Sequence, residues 1–296
     1  MDLRQLEYVV AVADHGGFTR AAEARHVAQP TLSHGVRALE ARLGIELFFR
    51  LGRTVRPTPA GELVIDAARR VLRDVADVEA VAAAALGAEV GHLDVVALPT
   101  LTVDPLADLL GRFRTMLPGV TVRVVEPEDA ETLARVVGSG RAEVGLTDIT
   151  TGSGRLSRIH LFRQELLAVC PPGTGTPGEP MTPAQLAATP LVATPRGTST
   201  RRVLDQILAR SGSTGQIAVE ISNREAILPL VLAGAGSSLL PAPLARRAAA
   251  QGATVRPFTT PVTRRVGLLH RRGTLSPAGA AFVALAQAQA QTHDTR

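Results

Sequence analysis

From Gly91 onward, short β-rich runs alternate with helical runs, and this alternation limits the possible folds more than any other feature. The runs "HLDVVALP", "VTVRVVE" and "AEVGLTD" have the apolar, β-branched composition of buried strands. Between them lie "DPLADLLGRFRTML" and "AETLARVVGSG", which have helical character. The pattern predicts βαβ units and a mainly parallel sheet. About 200 residues of it are more than one small sheet needs, so we expect two α/β lobes with a cleft between them.

The chain is expected to cross between these lobes twice. We place the crossing near Arg163 and the return near Arg265. Lobe I then comprises 91–164 and 266–296, and lobe II comprises 165–265. Proline and glycine are concentrated in "PPGTGTPGEPMTP", which we interpret as a surface connection within lobe II.

Residues 59–90 form the next unit, a single long helix with clear start signals. Thr58 can cap it, and Pro59 suits its first position. Apolar residues recur in alternating steps of four and three, which is the spacing of a coiled-coil seam. The proposed dimerisation residues are Val64, Ala68, Val71, Val75, Val78 and Ala82. The alternative is a long helix packed on its own domain, but the regular period favours pairing with a second chain.

Residues 1–58 contain three short helical patterns, the second and third separated by only two or three residues. Thr19 is a plausible N-cap of the second. The third lies within "HVAQPTLSHGVRALEARLGIELF" and carries a core stripe of Leu32, Val36, Leu39 and Leu43. Short spacing of this kind is typical of a helix-turn-helix.

The outer face of the third helix and the segment that follows it both offer groups for nucleic acid. Thr31, Ser33, His34 and Arg37 could donate to base edges and phosphates. Gln29 and Pro30 in the first turn, and Thr19 on the preceding helix, are also candidate DNA-binding residues. The following "FFRLGRTVRPT" has two β-like runs about a glycine, with arginines at intervals of three. These are Arg50, Arg53 and Arg56. An ordinary solvated helix face and a solvated hairpin are the alternatives.

Residues 2–61 resemble the winged helix-turn-helix of LysR-type transcriptional regulators. The resemblance rests on "FTRAAE", "QPTLS", "RALEARLG" and "TPAG", which stand in the family's order and spacing. It implies that the recognition helix runs from about Gln29 to Leu43, that the helix 59–90 dimerises, and that the rest is an effector domain similar to periplasmic solute-binding proteins. The chain departs from the family at Ala28, which forfeits a cap, and at His34, Gly35 and Phe49.

Three polar turns follow predicted strands and should face the cleft between the lobes. Strand ends that open onto helix N-termini are where open α/β sheets bind ligands, and exposed N–H groups there favour an anion. The expected effector-binding residues are Thr100, Thr102, Thr147, Asp148, Arg196, Thr198, Ser199 and Thr200. Helix capping is the alternative role for each hydroxyl. We expect Ser222 and Glu225 to form a capping box that places Asn223 on a helix start.

Enzymatic function is not indicated. The chain has no lysine, which excludes a Walker phosphate loop and a Schiff-base enzyme. Its seven histidines are scattered, so neither a metal site nor a bound cofactor is expected. Cys170, the single cysteine, ends an apolar run and suggests a buried small hydrophobe. Apolar residues make up 45%, no run could span a bilayer, and the N-terminus lacks a signal-peptide pattern, so a cytoplasmic protein is expected.

The sequence therefore predicts a DNA-binding transcriptional regulator that is switched by a small, anionic effector. Its expected partners are double-stranded DNA carrying an interrupted inverted repeat, a second copy in a homodimer, further copies in a tetramer, and RNA polymerase. No membrane partner is expected. The alternative is a two-lobed solute-binding protein or an enzyme with an unrelated N-terminal helical domain.

Overall fold

The computed structural model describes residues 1–51, 54–85, 91–150, 156–210, 212 and 215–293. The N-terminal unit is a winged helix, with three helices followed by an antiparallel two-stranded wing. Its elements are α1 (Leu3–His15), α2 (Phe18–Ala24), α3 (Gln29–Leu43), β1 (Phe48–Leu51) and β2 (Thr54–Pro57).

Local capping signals explain most of these helix boundaries, although Thr19 was assigned wrongly. Asp2 begins α1 with a capping box, accepting from the Gln5 N–H at 2.8 Å. Helix α2 has Gly17 at its N-cap without a side-chain bond, so Thr19 lies inside the helix and is exposed. Ala28 precedes α3 and supplies no side-chain cap, as predicted. Residues 25–28 separate α2 from α3, which makes the turn four residues long rather than two or three.

Helix α4 (Pro59–Ala85) begins where the sequence predicts. The Thr58 hydroxyl accepts from the Gly61 N–H at 2.8 Å and donates to the Glu46 carbonyl at 2.8 Å. No residue with a side chain fits at position 61 in place of Gly61, because a Cβ there would lie 2.0 Å from the Leu47 carbonyl oxygen. This contact fixes the start of the long helix against the wing. By its sequence Gly87 could end this helix, and that position lies outside the described residues.

The two halves of α4 differ in exposure. Ile65 and Ala68 are buried in the winged-helix core, and Val64 packs against that core. Ala68 is therefore covered by its own chain, which corrects its assignment to the dimerisation seam. Val71 and Val78 are 41% and 70% exposed. The remainder of α4 thus carries apolar side chains that nothing in the described part of the chain covers.

The effector domain is built on a seven-stranded sheet with the order β10-β6-β11-β5-β3-β4, and β9 also pairs with β6. Strands β7 and β8 form a separate parallel pair. The strands are β3 (Gly91–Ala97), β4 (Val120–Val125), β5 (Val144–Asp148), β6 (Leu156–Cys170), β7 (Pro190–Ala193), β8 (Gln216–Glu220), β9 (Ser238–Pro241), β10 (Thr254–Arg256) and β11 (Val262–Arg271).

The large sheet is mixed, so the prediction of a mainly parallel sheet is wrong for it. Strand β3 pairs in parallel with β4 and β5, as crossover connections require. Strands β6 and β11 instead carry the chain between the lobes in opposite directions and pair antiparallel along their length. Arg163 on β6 lies opposite Arg265 on β11, and Gln164 lies opposite Arg264. These two long strands form the connection between the lobes.

Helices cover the sheet in both lobes. They are α5 (Pro99–Leu101), α6 (Ala107–Met116), α7 (Ala130–Gly138), α8 (Pro183–Ala187), α9 (Ser199–Arg210), α10 (Ile227–Leu232), α11 (Ala242–Ala250) and α12 (Pro277–His293). A π-type turn at Thr102–Leu106 follows α5, and a 3-10 turn at Arg224–Ala226 precedes α10. Helix α12 returns to lobe I, where Phe282 packs edge-on against Phe113 with ring centroids 5.7 Å apart. Among the described residues, no helix is both long and apolar enough to cross a membrane.

Candidate functional site

The outer face of α3 presents polar groups to solvent beside the buried core stripe. Leu32, Val36 and Leu39 are fully buried, and the opposite face remains open. Leu43, the fourth residue of the predicted stripe, is 39% exposed at the end of the helix, so the prediction is wrong for it. Its exposed residues are Gln29, Pro30, Thr31, His34 and Arg37. Ser33 is half-buried and accepts a hydrogen bond from the Gln29 amide at 3.0 Å. The structure thus presents the predicted recognition residues together on one narrow, unobstructed helix face, which is the shape that a major groove accepts.

Gly35 has a packing role that the sequence did not reveal. A Cβ at this position would lie 2.6 Å from Cδ2 of Tyr8 in α1. The tyrosine ring therefore occupies the space that any other residue at this position would fill. Glycine inside a helix costs roughly 1 kcal/mol relative to alanine, and here that cost permits the close approach of α1 and α3.

The wing is described only in part. Arg56 on β2 is exposed, whereas Arg53 and the side chain of Arg50 lie outside the described residues. Phe49 on β1 is 46% exposed. One wing arginine is thus available to a phosphate backbone, and the other two stay predictions.

At the connection between the lobes lies a buried cation that the sequence analysis missed. Arg264 is 3% exposed and donates to the Gln164 amide oxygen through Nε at 2.8 Å. Its Nη2 donates to the Thr100 hydroxyl at 2.9 Å. Burial lowers the pKa of Arg264 to about 10, and the Asp148 carboxylate acts in the opposite direction. The guanidinium therefore keeps its positive charge at neutral pH.

Three buried polar atoms close to the predicted effector residues have no hydrogen-bond partner among the described residues. They are the Thr147 hydroxyl, the Gln164 amide nitrogen and the Thr200 hydroxyl. Thr147 is completely buried at the end of β5, and Gln164 already holds Arg264. Unpartnered buried donors are rare in native proteins because each costs about 1–3 kcal/mol, so they point to a ligand.

The remaining predicted effector residues have mixed roles. The Asp148 carboxylate accepts from the Thr150 hydroxyl at 2.6 Å, and the Thr102 hydroxyl lies 3.5 Å from the Leu98 carbonyl. The Thr198 hydroxyl contacts that of Thr194 at 2.6 Å and lies 3.4 Å from the Arg201 N–H. This favours the capping role for Thr198.

Two arginines near Thr198, Arg196 and Arg201, differ in their surroundings. Arg196 is exposed. Arg201 is buried and bound to Asp205 and Glu220, at 2.8 and 3.0 Å. The buried cation on the strands that connect the lobes is thus Arg264, and the period-two alternation of strand side chains could have identified it. Arg163 and Arg265 are the predicted crossing points between the lobes. Their strand neighbours Gln164 and Arg264 point to the opposite face of the sheet.

Two contacts join the loop before α7 to lobe II. The Ser199 N–H donates to the Glu128 carbonyl at 3.2 Å. Arg224 forms an ion pair with the Glu128 carboxylate at 2.5 Å. Beside Arg224, Asn223 caps the following turn by accepting from the Glu225 N–H at 3.0 Å. The expected capping box with Ser222 is therefore wrong, and Asn223 itself is the cap.

The structure offers little support for metal or thiol chemistry. No cluster of potential metal ligands occurs in the part of the chain that is described. Cys170 is a free thiol, fully buried at the end of β6 in the lobe II core. A thiol in such apolar surroundings is inert.

A winged helix joined by a long helix to a two-lobed α/β domain defines a class of ligand-responsive DNA-binding proteins. Two family models match this chain. Residues 3–62 match "Bacterial regulatory helix-turn-helix protein, lysR family", and residues 87–291 match "LysR substrate binding domain". The chain belongs to the LysR family of transcriptional regulators.

Individual relatives align over nearly the whole chain. The DNA-binding transcriptional dual regulator OxyR of Escherichia coli K12 is 31% identical over 293 residues, covering 97% of this chain and 94% of the relative. The regulator IlvR of Caulobacter vibrioides is also 31% identical, covering 94% of each chain. A cysteine-to-aspartate variant of full-length OxyR from Pseudomonas aeruginosa has a TM-score of 0.76 at 25% identity and covers 98% and 95%. CbnR in complex with its target DNA has a TM-score of 0.66 at 27% identity and covers 97% and 99%.

Proposed function

We propose that this protein is a cytoplasmic, non-enzymatic regulator that binds operator DNA through α3 and the wing and responds to a small organic anion between its lobes. Residues 1–58 would form the DNA-binding domain and 59–90 the linker. Lobe I would comprise 91–164 and 266–296, and lobe II 165–265. The similarity to a CbnR–DNA complex supports the DNA-binding part.

The effector proposal rests on the burial of the Arg264 guanidinium group. A buried arginine without a bonded carboxylate is expensive, because taking a cation out of water costs several kcal/mol. Its hydrogen bonds are to neutral oxygens of Gln164 and Thr100. An anion beside it would offset that cost and could also accept from the Thr147 hydroxyl and the Gln164 amide. The site therefore favours a ligand with one carboxylate or a comparable oxyanion.

The relatives named for hydrogen peroxide do not transfer their signal to this chain. Hydrogen peroxide-inducible genes activators are among the proteins similar to it. Its single cysteine, Cys170, is fully buried in an apolar core, and oxidation requires thiolate character and exposure. We infer that the effector binds reversibly through charge and hydrogen bonds rather than by oxidising a thiol.

Assembly is proposed from the exposed half of α4. Val71, Val78 and Ala82 stay on its exposed side, and a second copy of this helix would cover them. A two-fold dimer would present two recognition helices to an interrupted inverted repeat. Association of dimers into tetramers and contact with RNA polymerase extend the same proposal.

Two measurements test the proposal. A gel shift on the DNA flanking the protein's own coding sequence should show a specific complex that survives competitor DNA. Thermal-shift screening should compare aliphatic and aromatic carboxylates with their neutral amides, because only a ligand that binds the folded form raises the melting temperature. Carboxylates should stabilise the protein and the matched amides should not. Equal stabilisation by acid and amide would contradict the role of Arg264.

A further inference from the structure

A second polar site lies where the winged helix and α4 meet lobe I. A cavity of about 1220 Å³ opens between α1 and α4 on one side and α7 and β11 on the other. Small-molecule sites have volumes of roughly 300–1,000 Å³, so this cavity is large enough for a metabolite. Nothing in the proposed function uses it.

The cavity wall is strongly basic. Six arginines and three carboxylates line it, which leaves an excess of three positive charges (6 − 3 = 3). One carboxylate, Asp66, is paired with Arg69 at 3.3 Å. Glu143 lies nearby but accepts from the N–H and hydroxyl of Ser276 at 2.6 and 2.8 Å. The side chains that line the cavity therefore keep a net positive charge, although Arg69 also pairs with Asp14 outside it.

Three arginines from two domains converge at Gly140, and one of them, Arg271, also lines this cavity. Arg73 of α4 donates through Nη2 to the Gly140 carbonyl. A Cβ at Gly140 would lie 2.7 Å from Nη1 of Arg271 on β11 and 3.5 Å from Cγ of Arg70. The Nη1 atoms of Arg73 and Arg271 are both buried without a hydrogen-bond partner among the described residues. Burial lowers the pKa of Arg271, and the positive charge of Arg73 lowers it further.

We propose that this cluster, Arg70, Arg73 and Arg271, binds the phosphate group of a small phosphorylated metabolite that carries at least two negative charges. Guanidinium groups match phosphate oxygens in geometry and remain charged at all relevant pH values. One tetrahedral phosphate could accept from both unpartnered Nη1 atoms, and the rest of the metabolite would occupy the cavity. A single carboxylate would leave part of the arginine charge unmatched.

Such a ligand would connect the DNA-binding unit with the effector domain. Arg70 and Arg73 belong to the linker helix, whereas Arg271 belongs to the strand that also carries Arg264. A phosphate held by both would favour the arrangement in which α4 and lobe I are in contact. If DNA binding changes this arrangement, DNA and the phosphate ligand will alter each other's affinity.

The test uses the full-length protein, with inorganic pyrophosphate as the probe, and calorimetry to measure its affinity. Arg271→Gln and Arg73→Gln should each weaken pyrophosphate binding about ten- to a hundred-fold, because each removes a bond to a charged group. Arg265→Gln is the matched control, since Arg265 is exposed on the same strand. Its affinity should equal that of the unaltered protein. Absence of binding to the unaltered protein, or equal affinities in all variants, would overturn the proposal.

Two further measurements keep the test decisive if a variant fails to fold. In the unaltered protein, pyrophosphate should slow modification of Arg73 and Arg271 by phenylglyoxal, as mapped by mass spectrometry, while Arg265 reacts at an unchanged rate. No protection would contradict the site. Sedimentation and DNA titration test whether a second copy of the chain or DNA occupies the arginine cluster instead of a phosphorylated metabolite. A changed oligomeric state of Arg271→Gln would indicate carboxylates from a second copy, and displacement of pyrophosphate by random DNA would indicate DNA phosphates; either result overturns the proposal.

Discussion

The DNA-binding face and the effector cleft are both polar, but they are built in opposite ways. On α3, His34 and Arg37 are exposed, and their donors are already hydrated before DNA arrives. At the proposed effector site, Arg264 and Thr147 are buried, and the Thr147 hydroxyl has no hydrogen-bond partner among the described residues. The first surface loses water only when it binds. The second was desolvated when the protein folded.

This difference predicts different kinds of selectivity. An exposed arginine gains affinity from phosphates with strong salt dependence and can be replaced at modest cost to stability. A buried arginine contributes to folding and to ligand binding at once, so its replacement changes both. The helix face can therefore vary between relatives to read other operators, whereas the cleft must be rebuilt around a new ligand.

The largest expected effect comes from α4, the linker helix through which two DNA-binding units are proposed to pair. Replacing Val71 and Val78 together with Asp would place like charges at the proposed dimer seam. We expect loss of the dimer and with it at least a hundred-fold loss of affinity for a two-fold operator, because each recognition helix would then bind alone. Sedimentation equilibrium and gel shifts measure both. Replacing the same residues with Ala should retain the dimer, and a dimeric Asp variant with normal DNA binding would rule out the seam.

Within the DNA-binding unit, changes in α3 should alter the preference among DNA sequences, whereas changes in the wing should weaken binding to all sequences. Arg37→Ala or His34→Ala should cost roughly 1–3 kcal/mol on the operator and little on random DNA, as expected for groups that contact base edges. Arg56→Ala should weaken binding to all sequences alike and flatten the salt dependence, and the same is expected for Arg53→Ala. Quantitative footprinting across several salt concentrations provides the comparison. Equal losses on operator and random DNA for both helix variants would contradict the recognition-helix assignment.

Replacing Gly35 tests whether the packing of α1 against α3 depends on the absence of a side chain at this position. Gly35→Ala should destabilise the protein by about 1 kcal/mol or more despite the higher helix propensity of Ala, because the new Cβ meets the Tyr8 ring. The control is Gly111→Ala in α6, where a Cβ meets nothing within 4 Å and a gain of roughly 0.5–1 kcal/mol is expected. Urea denaturation measures both. The double variant with Tyr8→Ala should lose less than the sum of the single changes.

The smallest effect concerns the pH dependence of the buried cation. Burial lowers the pKa of Arg264 to about 10 in the folded protein, below its ordinary value in the unfolded chain. The destabilising effect of the buried charge is therefore complete below pH 10 and is relieved as the pH rises further. Stability of the unaltered protein relative to Arg264→Met should increase above pH 10 by at most about 1.4 kcal/mol per pH unit. A constant difference between pH 9 and pH 11 would contradict the shift.

Features encoded by local periodicity could be read from the sequence. The core stripe of α3 and the Thr58 cap depend on neighbours within one or two helical turns. Contacts between distant segments could not be read in this way. Arg264 is buried because β6 lies beside β11, and Gly35 is required because Tyr8 is packed above it. The misplaced Thr19 cap has a simpler origin, since α2 starts two residues earlier, after Gly17.

The mixed sheet shows the same limit at the level of topology. Each βα unit near β3 was recognisable from alternation, and those strands do pair in parallel. The alternation did not reveal that β6 and β11 are long strands shared by both lobes. Their antiparallel pairing brings Gln164 of β6 opposite Arg264 of β11. The proposed effector site thus depends on the part of the topology that the sequence pattern does not encode.

The most direct test of this account is whether Arg264 couples the cleft to DNA. Operator affinity should be measured by fluorescence anisotropy for the unaltered protein and for Arg264→Gln, with and without the carboxylate that gives the largest thermal shift. We predict equal affinities for DNA in the absence of the carboxylate, because Arg264 lies on β11 in the effector domain and bonds to Gln164 and Thr100 there. We also predict a ligand-dependent change in the unaltered protein that is absent from the variant. An undiminished ligand response in Arg264→Gln would contradict the claim that this buried arginine binds the effector.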